Sequence, residues 1–156
     1  DTIQHAGVVV GLGGVAAHVL CKLPRDAEGY MGRLRCVQEI SAVTAACMMV
    51  KTSVFKAVGG FDEELKVAFN DIDLCMKVRK YGVKIVFTPY AELYHYESKS
   101  RGMEDTPEKQ LRFSREVNCF RRKWERELLK GDPYYNPNLT LNNTDCSLRK
   151  QEKNGD

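Results

Sequence analysis

A chain of 156 residues, 43% hydrophobic and 29% charged, has the length and composition of one globular domain with its own core. A formal charge of +3 calls for no polyanionic partner, which argues against nucleic acid, and the longest apolar run, Ala42 to Val50, is well short of the ~20 residues of a membrane-spanning helix. Six cysteines without a C-x-x-C pair or zinc-type spacing fit free thiols in a cytoplasmic setting, not a disulfide framework.

The chain opens on Asp1-Thr2-Ile3-Gln4-His5 without an initiator methionine, so the expectation is a piece of a larger protein. Val8-Val9-Val10 reads as a short strand running into Gly11-Leu12-Gly13-Gly14-Val15-Ala16. That run matches G-x-G-x-x-A, the dinucleotide-binding fingerprint. A dinucleotide fold next needs a helix and a second apolar strand ending in an acid. Lys22-Leu23-Pro24-Arg25-Asp26 follows instead, which favours a glycine turn packed near other backbone. Residues 15 to 35 look irregular.

Val43 to Val50 has the length and apolarity of a central strand buried on both faces. Thr52 or Ser53 is placed to cap a short helix through Val58, stopped by Gly59. Gly59-Gly60-Phe61-Asp62-Glu63 predicts a tight turn anchored in the core by Phe61, with Asp62 and Glu63 facing solvent or starting the next segment. Asn70 or Asp71 then caps a helix to Tyr81, with Ile72, Cys75 and Val78 on one stripe and Gly82 as its left-handed end.

Val83 to Thr88 alternates like a strand closed by Pro89, and 91 to 95 reads as another. Pro107 opens a helix over 108–130, stopped by Gly131. Phe113, Val117, Phe120, Trp124 and Leu128 form its apolar stripe, and Arg112, Arg115, Arg121, Arg122, Lys123 and Arg126 its basic faces. Those basic faces suit solvent, or peripheral contact with a membrane surface. Beyond Asp132-Pro133 the chain turns polar, and a charged tail from Arg149 to Asp156 reads as disordered. The sum is one α/β unit with a helical C-terminal arm.

Asp71-Ile72-Asp73 is a D-x-D, whose carboxylates can share a divalent ion on a loop or strand end. On a helix they diverge by roughly 200°, so at most one points into a site. Both also suit a helix N-terminus, where acids are favourable. His95, between Tyr94 and Tyr96, fits either a satisfied core histidine or a neutral metal ligand.

In order and spacing, Val43-Thr44-Ala45-Ala46-Cys47, Phe55, Gly59 to Glu63, Asn70-Asp71-Ile72-Asp73-Leu74-Cys75, Gly82, Pro89 and His95 together resemble the second half of a family 2 glycosyltransferase. The resemblance takes in Ile3 to Gly7 and His18 upstream, and 97–102 and 131–139 downstream, and is similar to the rhamnosyltransferase-like branch. It implies an α/β fold, a partial GT-A type with a mixed sheet flanked by helices and a long C-terminal amphipathic helix. Residues 1–131 would be the C-terminal half of that catalytic domain and 132–156 an extension with a disordered tail. It implies an inverting enzyme in which Asp71 is the general base, taking the acceptor hydroxyl's proton as that oxygen displaces the nucleotide. Asp73 would turn away to cap the helix, and Asp62 and Glu63 would contact the acceptor sugar. His95 would approach the metal or the donor diphosphate. Arg101, in a lid over 97–106, would neutralise the leaving phosphates. Relatives more often carry Glu-Asp where this chain has Asn70-Asp71.

The resemblance further implies a nucleotide-sugar donor, a glycan or lipid-linked acceptor, and a divalent cation (Mn or Mg) in the full-length enzyme. The donor-binding half with its own D-x-D is expected upstream of Asp1, so the chain alone is expected to bind no metal and to be inactive. The setting it implies is bacterial cell-surface polysaccharide synthesis in the cytoplasm, at the inner face of the membrane. A rival reading makes the chain a binding or assembly module that forms a homodimer through an exposed sheet edge and the Phe113, Val117 and Trp124 stripe.

Overall fold

Three consecutive β-branched residues, all buried, form β1 (Val8–Val10). In the computed structural model, which describes residues 1–96 and 106–150, β1 turns back directly into β2 (Ala16–His18). The two run antiparallel with Val9 opposite Ala17. A single 3₁₀ turn over Leu12–Gly14 joins them, with Gly11, Gly13 and Gly14 at φ of 96°, 64° and 80°. Gly14 has a second reason to lack a side chain, since a Cβ there would sit 3.0 Å from Arg121 Nη2. A hairpin in place of a strand-to-helix turn excludes the dinucleotide geometry.

A second antiparallel ladder pairs β3 (Gln38–Glu39) with β4 (Val86–Phe87). The two ladders meet through one segment of chain. Ile40 donates its amide to the Ile85 carbonyl at 3.0 Å, and two residues later the Ala42 carbonyl accepts from Val8 at 2.9 Å. A mixed sheet was expected; the described residues hold two small antiparallel ladders instead.

Pairing stops at Ala42, and Val43 to Val50 is not the buried central strand that its apolarity suggests. Its backbone groups go to side chains instead of a ladder. Val43 donates to Cys75 Sγ at 3.5 Å, Thr44 to His5 Nε2 at 3.4 Å and Ala45 to Asp71 Oδ2 at 3.0 Å. Ala45–Cys47 then makes a 3₁₀ turn, and Met49 is 99% exposed. Burial pushes the Cys75 thiol up to about 11, so it keeps its proton and donates to the Val43 carbonyl at 3.7 Å.

Helix α1 (Thr52–Ala57) follows Lys51, with no side-chain cap from Thr52 or Ser53. It ends at Gly59-Gly60, both at positive φ, as the glycine pair predicts. Phe61 does not enter the core: it is half exposed and sets its ring edge-on against Phe55, 5.5 Å away. The next helix, α2 (Asn70–Lys80), is capped by Phe69 at φ 63°, not by Asn70 or Asp71. Its inner face buries Ile72, Leu74, Cys75, Met76 and Val78, and Gly82 at φ 91° ends it. Of the alternating run 83–88 only Val86–Phe87 is paired, and 91–95 forms no strand.

Thr106 caps α3 (Pro107–Lys123) by accepting from the Lys109 amide, with Pro107 in the first turn. The single helix expected over 108–130 is two. Trp124, at φ −114° and ψ 21°, separates α3 from α4 (Glu125–Lys130). Much of the apolar stripe packs within the chain, though Phe113 stays 44% exposed. Phe120 and Trp124 are buried with Val8, Val10, Leu65, Ile72 and Met76, while Phe113 tilts against Phe69 at 5.8 Å. That burial removes Trp124 from the self-association surface proposed for it. On the other face of the hairpin Tyr135, Leu139 and Cys146 from residues 132–150 pack on Val9, Leu12 and Leu20. The six cysteines are free. Among the described residues no helix is long and apolar enough to cross a membrane.

Candidate active site

Asp71 is the second residue of α2, where the left-handed Phe69 swings the chain into the helix. Its carboxylate is held on both oxygens. Oδ1 accepts from the Ile72 amide at 2.9 Å and Oδ2 from the Ala45 amide at 3.0 Å. Asn70, in the position where relatives are expected to carry an acid, turns its Oδ1 to the Asp71 amide at 2.7 Å. The helix N-terminus adds its own partial positive charge. The carboxylate is thus aimed by backbone groups alone.

The neighbouring amide, Thr44 N–H, donates to His5 Nε2, so two successive amides place Asp71 and His5 side by side. His5 packs edge-on against His18, with ring centroids 5.0 Å apart. His18 Nδ1 pairs with the Gln4 carbonyl at 3.0 Å, and His95 Nδ1 with Gln4 Oε1 at 2.7 Å. All three histidines of the chain therefore gather on Gln4-His5, next to Asp71. Burial first, and the His18 ring second, lower the His5 pKa to about 4, against the opposing pull of Asp71. His5 is neutral near pH 7. Because Nε2 accepts, its proton sits on Nδ1, a buried donor without a partner among the described residues.

Asp73 points the other way, as helical geometry requires, but it is not a helix cap. It is fully buried and accepts from Trp124 Nε1 and Lys123 Nζ, both at 2.8 Å. Lys77 Nζ stands 3.2 Å from its other oxygen as an ion pair rather than an aligned hydrogen bond. Cap geometry loses here because a fixed indole and two ammonium groups offer the carboxylate more than the helix end does. Lys123 also holds Asp62, keeping that carboxyl below its usual range, with help from the Glu64 amide. Glu63 is exposed. No hydrogen bond or ion pair among the described residues joins Asp62 or Glu63 to Asp71.

The structure thus joins Asp71 to His5 and ties Asp62 to the Asp73 cluster. His95 is exposed and reaches the site only through Gln4. Among the described residues no three His, Cys, Asp or Glu side chains are grouped to hold a metal ion, so His95 has no co-ligands there. Arg101 and most of the lid expected over 97–106 lie outside the described residues, as does the tail beyond Lys150. The convergence of His5 and His18 on Asp71 was not assigned from sequence. Both histidines lay within the stretch that carries the family resemblance, but no role was read for either.

Comparison with known proteins adds context. The chain is 58% identical over 147 residues to an uncharacterized protein of Sinorhizobium fredii, covering 94% of this chain and 16% of that protein. It is 38% identical over 156 residues to the O-antigen biosynthesis protein RfbC of Myxococcus xanthus, 99% of this chain and 12% of that one. A shorter match, 36% over 62 residues, covers 40% of this chain and 20% of an N-acetylglucosaminyl-diphospho-decaprenol L-rhamnosyltransferase of Mycobacterium tuberculosis. The chain is related to glycan-biosynthesis proteins. It spans a sixth or less of the length of the first two of these relatives. No family model and no solved structure matches it.

Proposed function

We propose that this chain is the acceptor-side, base-bearing part of an inverting glycosyltransferase of family 2 with a GT-A fold. The observation that carries the reading is Asp71, a carboxylate fixed on both oxygens at a helix N-terminus beside a neutral imidazole. The relatives named for O-antigen biosynthesis and rhamnosyl transfer support it. On this reading the donor is a nucleotide-sugar, L-rhamnose among the candidates, and the acceptor a glycan or a lipid-linked sugar.

The acceptor hydroxyl attacks the anomeric carbon from the face opposite the nucleotide. The bond to the diphosphate oxygen breaks as the new glycosidic bond forms, and the hydroxyl proton passes to Asp71. A carboxylate is a far weaker base than an alkoxide, so proton transfer and bond formation are concerted. His5 stands beside this carboxylate as a neutral imidazole and puts no competing charge there. The described residues do not assemble a divalent-ion site, and no step is assigned to one.

The anomeric configuration of the product tests the reading. The longer protein containing this chain is incubated with a panel of sugar nucleotides and a lipid-linked sugar diphosphate, and the product is read by proton NMR. Inversion at the transferred sugar is expected. Retention would remove the need for a base in Asp71's place and contradict the proposal.

A further inference from the structure

A second site opens at the other end of α2. Arg79 lies eight residues past Asp71, about 12 Å further along the helix at its 1.5 Å rise. It lines a cleft of about 550 Å³ walled by α2, α4 and the chain around Tyr134. That volume falls within the range of small-molecule sites. Asp71 and the histidines take no part in its lining.

The charges around the cleft do not cancel. Lys84 pairs with Glu39 and Lys80 with Glu127, so the lysines beside both carboxylates of the lining are accounted for. Arg79 is partly buried, and its partners are neutral: Ser41 Oγ and Met76 Sδ on Nη1, with the Tyr134 ring 5.3 Å below its Cζ. Neither Arg79 nor Lys130, also on the lining, makes an ion pair among the described residues. Arg79 does offset the negative end of α2. The helix end nonetheless leaves the fork of Nε and Nη2 without a partner among the described residues, the geometry that receives two oxygens of one anion. Met76, Val83 and Tyr134 supply an apolar floor beside these cations.

We propose that this cleft binds a small organic phosphate, its dianion held by Arg79 and Lys130 and its body lying on Met76, Val83 and Tyr134. Two unpaired cations match the charge of a phosphate monoester near neutral pH. The site is independent of the glycosyl-transfer reading, and an occupant would touch Trp124, whose indole N–H holds Asp73.

Trp124 is the chain's single tryptophan, so its fluorescence reports the cleft. The 156-residue chain is titrated with inorganic phosphate and with phenyl phosphate, against chloride at matched ionic strength. A saturable change is expected with both, tighter for phenyl phosphate. Arg79→Gln should weaken binding about ten-fold or more, the loss typical of a charge-assisted contact. Lys130→Gln, at an exposed rim position that does not endanger folding, should weaken it less. Asp71→Asn should leave affinity unchanged, which separates failure of this proposal from failure of the catalytic one. Three results would each overturn it: no saturable response in the millimolar range, equal affinity for wild type and both cleft variants, or a response only to phosphatidylcholine vesicles carrying phosphatidic acid.

Discussion

At His5 burial sets the protonation state, and the protonation state sets what the residue can offer. The folded protein holds its pKa near 4 while the unfolded chain returns it to 6.5. Between those values the unfolded state binds more protons, so stability is full above pH 6.5 and declines as pH falls toward 4. The loss from this one group reaches about 3 kcal/mol at the acid end. His5→Gln keeps an acceptor for the Thr44 amide and removes the titration. Urea unfolding at pH 7 and pH 5 should therefore show a shallower acid loss in the variant, and an equal loss in both proteins would refute the assignment. Asp71 was legible as a special position because its cues are local: a glycine turn, an acid and a helical pattern within a dozen residues. His5 and His18 were not, because only the folded hairpin and the turn at Thr44-Ala45 bring positions 5, 18 and 71 together.

Among the elements, the join between α2 and the α3–α4 break carries the most specific chemistry. Asp73 on α2 receives Trp124 and Lys123 from the break, and Lys123 reaches on to Asp62 in the glycine turn. Through Asp73 and Lys123 the helix break is thus tied to α2, 51 residues earlier, and to the glycine turn just before it. Asp73→Asn should cost about 3 kcal/mol in chemical denaturation, because it strands two ammonium groups, though their partial exposure softens the penalty. Trp124→Phe keeps most of the apolar burial and loses the N–H to the carboxylate. It should cost less, about 1.5 kcal/mol. Equal effects would mean that ring packing, not the polar cluster, makes the join. The uninterrupted stripe from Phe113 to Leu128 predicted one helix. The break was not legible because the partner of the Trp124 indole is 51 residues away.

For the whole molecule, the same limit explains Val43 to Val50. An apolar run becomes a strand only if another strand pairs with it, and here Cys75, His5 and Asp71 take the amides that a ladder would use. Periodicity reports burial, not the identity of the hydrogen-bond partner. The absence of a grouped metal site among the described residues has its own consequence. Calorimetry of this chain with UDP or dTDP should show no gain in affinity on adding Mn²⁺, whereas a Mn²⁺-dependent gain would reveal a metal site that the described residues do not form. The central claim rests on Asp71, and its most direct test is the transfer rate of Asp71→Asn in the longer protein that contains this chain. Loss of the base should lower turnover about 10³-fold, within the range for general-base catalysis, and leave donor binding unchanged. Turnover equal to that of the wild type would contradict it.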